Sequence, residues 1–202
     1  TLIHVRKSRE ALAILASNFY NNPSKKLNLI GITGTNGKTT TATLMFQLFR
    51  LFDKKVGLIS TNKIVIDKHE FGNELTTPDP VTINKTLNQM VNEGIEYCFM
   101  EVSSHAIDQK RILGLKFEVG VFTNLSHDHL DYHHDFSNYR DVKKEFFDFL
   151  AKDAIAIVNF DDKNGPYMIQ NCRSKSYSYS LKTNSNYSLK ILEKDLNGMK
   201  LK

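Results

Sequence analysis

LNLIGITGTNGKTTTATL, residues 27–44, decides how the whole chain is read. The run LNLIGIT is short and apolar, fit for a buried strand, and KTTTATLMFQLFRLF after it carries Leu44, Leu48 and Leu51 at helical spacing. Between them a glycine turn sets Lys38 and Thr39 where a phosphate-binding loop has its lysine and hydroxyl. The register is shifted, because G-x-x-x-x-G-K-[ST] requires its first glycine where this chain has Ile32, and the nearby glycines are Gly31 and Gly34. A strand, a glycine turn and a helix mouth still offer backbone N–H groups and a helix dipole to a polyphosphate. The stretch therefore predicts a variant phosphate loop over Gly34, Thr35, Asn36, Gly37, Lys38, Thr39 and Thr40.

Outward from the loop, strands alternate with helices. SREALAILASNFY has helical apolar spacing and NNPSKK is a turn-rich connector, which puts a boundary near Lys26. KVGLIS and KIVID read as strands, followed by a helix from about Pro80 to Asn92 that Asp79 can cap. IEYCFMEV, EVGVFTN and AIAIVNF read as further buried strands. Before the last of these, SNYRDVKKEFFDFLAK places Tyr139, Val142, Phe146 and Phe149 on one helical face. The alternation predicts an α/β fold, a mainly parallel sheet flanked by helices. Beyond Ser174, SYSYS, YSLKIL and MKLK predict a smaller β-rich part at the C-terminal end.

A chain of 202 residues with 41% hydrophobic content can bury one sizeable core. No apolar run reaches membrane-spanning length. The opening TLIHVRKSREALAILASNFY lacks the pattern of a signal peptide and does not begin with Met, so the expectation is a fragment of a cytoplasmic protein with no membrane partner. Cys98 and Cys172 lie far apart, which fits a reducing compartment and small buried hydrophobes. The net charge of +5 comes from scattered lysine pairs (Lys25 and Lys26, Lys54 and Lys55, Lys143 and Lys144) without interleaved aromatics. Most of these read as solvated surface, so no nucleic-acid partner is expected; a basic balance equally suits small anionic substrates.

TGTNGKTTT resembles the ATP-binding loop of the Mur ligases and the related folylpolyglutamate synthases, whose G-T-x-G-K-[ST] form accounts for the shifted glycine. LTTPDP at 75–80, MEVSSHAIDQKR at 100–111, TNLSHDHLDYH at 123–133, YRDVK at 139–143 and NFDD at 159–162 narrow the resemblance to the MurE type. That type adds the third peptide residue to UDP-N-acetylmuramoyl-L-alanyl-D-glutamate. The resemblance implies a three-domain monomeric enzyme. Residues 1–26 would be the tail of its UDP-binding N-terminal domain and linker, residues 27–202 an incomplete central ATP-binding domain, and the C-terminal domain would be absent. It also implies ATP, two magnesium ions, the UDP-muramoyl dipeptide and a diamino acid as cofactors and substrates, with an acyl phosphate between them.

Roles for single residues follow from the same resemblance and from their chemistry. Lys38 contacts the β and γ phosphates, while the Thr39 hydroxyl and the Glu101 carboxylate hold a first magnesium as hard oxygen ligands. Glu101 ends an apolar strand, at the edge where open α/β sheets bind ligands. HDHLDYHH, read from its residues alone, offers either a transition-metal site or a structural surface. The resemblance makes His129 a ligand of the second magnesium and gives His127, His133 and His134 no role. Thr76, Thr77, Ser103, Gln109 and Arg111 stand where such enzymes contact the acceptor, although Thr76 and Thr77 before Pro78 could equally serve as helix caps. Asn159 and Asp161 match a segment near adenine and ribose, and NFDD could also be a plain turn. Lys143, next to the apolar Val142, sits at the margin of a buried face and by itself reads as a snorkelling surface lysine. The resemblance instead makes it the lysine carbamylated by carbon dioxide, an anionic ligand near the second magnesium. Other readings are a related ligase with another acceptor, such as a folylpolyglutamate synthase, and a nucleotide-binding module without ligation chemistry.

Overall fold

The chain folds around β1 (Asn28–Thr33), the central strand of a nine-stranded sheet. The computed structural model describes residues 4–128, 130–195 and 198–202. In chain order the first elements are α1 (Ser8–Phe19), β1, α2 (Lys38–Leu51), β2 (Val56–Ile59), β3 (Lys63–Ile66), β4 (His69–Gly72), α3 (Pro80–Asn92), β5 (Tyr97–Glu101) and α4 (Ser104–Asp108). They are followed by β6 (Val119–Phe122), α5 (Leu130–His133), α6 (Phe136–Asp148), β7 (Ile155–Asn159), α7 (Gly165–Met168), β8 (Lys175–Ser180) and β9 (Tyr187–Ser188). A separate antiparallel hairpin, β10 (Ile191–Asp195) with β11 (Gly198–Leu201), ends the chain.

The sheet order is β4-β3-β2-β5-β1-β6-β7-β8-β9, parallel from β2 through β9, with β3 and β4 added antiparallel at one edge. Every residue of β1 after Asn28 is buried, as a central parallel strand covered on both faces requires. Ile30 and Ile32 pack with Ala42 and Phe46 of α2, whereas Leu29 joins a second core holding Ile83 and Leu87 of α3 and Phe146 of α6. A Cβ on Gly31 would lie 2.6 Å from Phe146 Cζ and 2.8 Å from Phe117 Cε1, so this glycine lets α6 press against β1. That close approach brings Lys143 to the site.

Several expectations hold as read. α3 runs Pro80–Asn92, and the Asp79 carboxylate accepts from the Val81 and Thr82 amides as its cap. Others need correction. Leu44, Leu48 and Leu51 lie on the outer face of α2, 58%, 42% and 80% exposed, because the short Ala42 and the bulky Phe46 make the sheet contact instead. On α6, Tyr139, Val142 and Phe146 are buried, but Phe149 is 59% exposed and Phe147 takes the inner position, since the helix ends at Asp148. SYSYS is β8, a full strand of the main sheet, and the separate β-rich part is the β10–β11 hairpin alone. The α1 segment packs on α3, and the Ser24 hydroxyl accepts from the Lys116 amide.

Candidate active site

The C-terminal ends of β1, β5 and β6 meet at one edge, where the connections leave the central strand toward opposite sides. From Thr33 the chain turns through Gly34 (φ +148°) and Gly37 (φ +83°) into α2. A Cβ on Gly34 would fall 2.0 Å from Thr123 Oγ1, so only glycine lets the loop lie against the end of β6. The segment after β6 braces it: the Thr35 amide donates to Asn124 O (2.8 Å), the Asn36 amide to Asn124 Oδ1 (3.0 Å), and Thr123 Oγ1 to Asn36 O (2.7 Å). Gly37 gives α2 no side-chain cap and its first turn holds no acidic residue. The positive helix end thus faces outward uncompensated, as an anion-binding loop requires.

Lys38 arches back over this loop, its Nζ donating to Gly34 O (3.0 Å) and Thr35 O (2.8 Å). Burial pulls its pKa below the ordinary lysine value, against the opposing charges of Glu101 and Asp128. Thr39 Oγ1 donates to Glu101 Oε2 at 2.9 Å. Glu101 has no exposed surface, and it also accepts from the Thr61 amide (2.9 Å) and the Thr61 hydroxyl (3.2 Å). Among the described residues no cation pairs with it. A buried carboxylate held only by neutral donors, beside a hydroxyl at the loop mouth, is a donor set suited to a divalent cation with hard-oxygen preference.

The sequence-predicted acceptor residues form one connected chain beside Glu101. Thr77 is fully buried; its hydroxyl donates to Glu101 O (2.8 Å) and accepts from the Ser103 amide (3.0 Å). Thr76 Oγ1 lies 3.2 Å from Thr61 Oγ1, whose proton goes to Glu101, and Asp79 caps α3, so neither threonine acts as a helix cap. Arg111 Nη1 donates to Thr77 O (2.8 Å), while its Nε and Nη2 hold Gln109 Oε1 (3.0 and 2.6 Å). Gln109 Nε2 reaches Tyr132 Oη (3.2 Å), and that phenol donates to Asp108 Oδ2 (2.6 Å). Ser103 caps α4, its Oγ accepting from the Ala106 amide.

Lys143 corrects the surface reading that its position beside Val142 gave: it is 1% exposed, with Nζ donating to Gly34 O at 3.0 Å and standing 4.8 Å from the Tyr139 ring centre. Gly31 clears the space for Phe146 and so draws this part of α6 inward. Burial, and next the charge of Lys38, push the Lys143 amine well below the ordinary lysine range, while Asp128 opposes them. Tyr139, read from sequence only as a core residue, bonds Thr35 Oγ1 at 3.1 Å, and burial raises its phenol to about 12.

His129 lies outside the described residues. His133 is buried with Nε2 2.9 Å from Ser104 Oγ, and the His127 ring lies against Phe136. Among the described residues no three His, Cys, Asp or Glu side chains are placed to hold a metal ion. Asn159 Nδ2 ties the end of β7 to Thr123 O (2.8 Å). The Asp161 carboxylate accepts from the Leu181, Lys182 and Thr183 amides, so here it braces a surface turn rather than joining the loop cluster. Thr61 and Asn124 are site residues to which the sequence pattern gives no role. Thr61 follows β2 in an ordinary turn sequence, and Asn124 stood inside the quoted TNLSHDHLDYH without a role of its own. No helix among the described residues is long and apolar enough to cross a membrane.

The family described as Mur ligase middle domain matches residues 32–202. A UDP-N-acetylmuramoyl-L-alanyl-D-glutamate--2,6-diaminopimelate ligase of Bacteroides thetaiotaomicron is 53% identical over 201 residues, covering 100% of this chain and 42% of the relative. A solved structure of a ligase with that name superposes with a TM-score of 0.87 at 27% identity, over 98% of this chain and 42% of its own. A Mycobacterium tuberculosis folylpolyglutamate synthase, 14% identical, has a TM-score of 0.72 over 96% of this chain and 51% of its own, a likeness of fold alone. The chain thus spans less than half the length of the curated relatives it matches.

Proposed function

This chain belongs to the Mur ligase middle-domain family, and from that premise we propose that it is the ATP-binding centre of an ATP-dependent amide ligase. The ligase adds a diamino acid to UDP-N-acetylmuramoyl-L-alanyl-D-glutamate in peptidoglycan precursor synthesis. The observation that carries the reading is the Thr39–Glu101 contact at the mouth of a loop on which Lys38 and Lys143 converge. In this reading residues 27–202 are the ATP-binding domain, residues 1–26 the tail and linker of a UDP-binding domain, and the enzyme works as a monomer.

Activation starts when an acceptor carboxylate oxygen attacks the γ-phosphorus of ATP and the bond to ADP breaks. The amine then attacks the acyl carbon of the acyl phosphate, phosphate departs, and the amine loses a proton. Positioning and charge neutralisation do most of this work. Lys38 turns from its own loop carbonyls to the β and γ phosphates, and the α2 N-terminus holds them from below. Thr39 and Glu101 would hold one magnesium, and His129 with a carbamylated Lys143 would hold a second. When bound, these ions neutralise the polyphosphate. Carbamylation joins the neutral Lys143 amine to carbon dioxide, forming an N–C bond and releasing a proton. Burial favours the neutral amine that this step needs. Thr76, Thr77, Ser103, Gln109 and Arg111 orient the acceptor, and Asn159 and Asp161 lie toward the nucleoside.

The test supplies the longer protein containing this chain with ATP, magnesium, UDP-muramoyl dipeptide and diaminopimelate or lysine. ADP release coupled to a UDP-muramoyl tripeptide is expected. ADP release without tripeptide, or none with this acceptor, would overturn the reading.

A further inference from the structure

Beside the acceptor residues lies a cavity of about 260 Å³ to which three segments distant in sequence contribute: Arg9 from α1, Leu75, Asp79 and Pro80 ahead of and opening α3, and Gln109 and Arg111 after α4. Two of its three charged groups are already engaged. Asp79 accepts from the Val81 and Thr82 amides at Oδ1 and from the Thr82 hydroxyl at Oδ2. Arg111 commits three of its five N–H donors to Thr77 O and Gln109 Oε1. Arg9 is exposed and, among the described residues, has no hydrogen bond or ion pair. Its charge reaches the Gln109 side of the cavity: burial and then Asp108 raise the Tyr132 phenol, and Arg9 acts against them. Helix stability does not account for this arginine, since a cation in the first turn of α1 sits at the unfavourable end of the dipole.

A guanidinium with all its donors free matches a carboxylate or phosphate in bidentate fashion. Resting on the ligase reading above, we propose that Arg9 binds an anionic group of the acceptor, so that α1 completes the acceptor site and sets its specificity. The cavity joins the ATP side through Arg111, Thr77 and Glu101, which leaves the anion held by Arg9 on the far side from the reacting carboxylate. That anion is either a second carboxylate of the dipeptide or the diphosphate of the nucleotide. The cavity is below the ~300–1,000 Å³ of drug-sized ligand pockets, so it holds one such segment rather than the whole acceptor.

The experiment compares Arg9→Ala and Arg9→Lys with wild type in the full-length ligase. In Arg9→Ala the acceptor KM is expected to rise by at least about tenfold, with kcat and the KM for ATP within about twofold, and Arg9→Lys to recover part of the loss. Two altered acceptors separate the sources, one with the free α-carboxylate of the glutamate amidated and one lacking the uridine diphosphate. The difference between wild type and Arg9→Ala should vanish with whichever acceptor has lost the bound anion. An unchanged acceptor KM in a wild-type background that ligates, a kcat loss without a KM change, or a defect persisting with both altered acceptors would each overturn the assignment. A wild-type enzyme that failed to use the acceptor at all would instead overturn the ligase reading, and the Arg9 assignment with it.

Discussion

Lys38 and Lys143 donate to one backbone oxygen, that of Gly34, each from 3.0 Å. Two side chains from different helices therefore crowd their nitrogens onto the loop that the fold presents to a polyphosphate. Lys143 is the more deeply buried, and burial together with the charge of Lys38 holds its pKa well below 10.5.

Between the depressed folded pKa and the unfolded value the unfolded chain binds a proton that the folded chain does not, so stability rises with pH across that window. The penalty is fully present below the folded pKa and gone above the unfolded one. Lys143→Met removes it, so in nucleotide-free protein the variant should melt higher than wild type near neutral pH. The difference should narrow as pH approaches the ordinary lysine value. Melting curves over a pH series measure this, and a gap that stayed constant would mean that the folded protein places no penalty on the charge.

The same lysine carries a catalytic expectation. In the full-length enzyme Lys143→Ala should lose most ligase activity, and added bicarbonate should raise turnover only in proteins that keep the lysine. Normal turnover of Lys143→Ala at limiting magnesium would return this residue to a purely structural role.

Much of the fold was legible because it rests on local signals. The α3 boundary was readable from Asp79 and Pro80, and the phosphate loop from glycines flanking a lysine. What stayed hidden depends on long-range packing. Periodicity finds an apolar stripe on α2 but cannot tell that Phe46 rather than Leu48 meets the sheet. Lys143 looks like Lys144 in sequence; the close approach of α6 to Gly31 buries the first completely, whereas the second is half-buried and pairs with Asp148. Thr61 meets Glu101 through its backbone amide as well as its hydroxyl, and the position of that amide after β2 is a contact that no side-chain pattern encodes.

Lys38→Ala in the full-length enzyme removes a charge aimed at the transferring phosphoryl while leaving the buried core intact. The loss in kcat should be of order 10²–10³, about 3–4 kcal/mol, by analogy with other preorganised electrostatic contacts. An unaltered circular-dichroism melt should accompany it. Unchanged turnover would remove Lys38 from the reaction.

Gly31→Ala tests how the fold delivers Lys143. The added Cβ would sit 2.6 Å from Phe146 Cζ, so α6 must shift outward or the ring must leave its rotamer. Overpacking of this kind costs about 1–3 kcal/mol. The variant should be destabilised by that amount in urea melts and should lose activity as Lys143 is drawn off Gly34 O. Adding Phe146→Leu should recover stability, and a purely additive double variant would show that the two positions are not coupled.

Glu101→Gln separates the carboxylate's charge from its hydrogen bonds. Its two oxygens accept from the Thr61 amide and the Thr39 hydroxyl. A glutamine can keep its carbonyl on the Thr61 amide and turn its NH₂ toward Thr39, whose hydroxyl rotates to accept. The pocket therefore stays filled, an unpaired buried charge is removed, and the nucleotide-free protein should be at least as stable as wild type. What the variant lacks is the anionic oxygen for a divalent cation. ATP affinity measured with magnesium and again with a chelator should differ strongly in wild type and scarcely at all in Glu101→Gln, because only the metal-linked part of binding is lost. If magnesium tightened nucleotide binding equally in both proteins, Glu101 would not be a metal ligand, and its contact with Thr39 would serve only to hold the start of α2 against the end of β5.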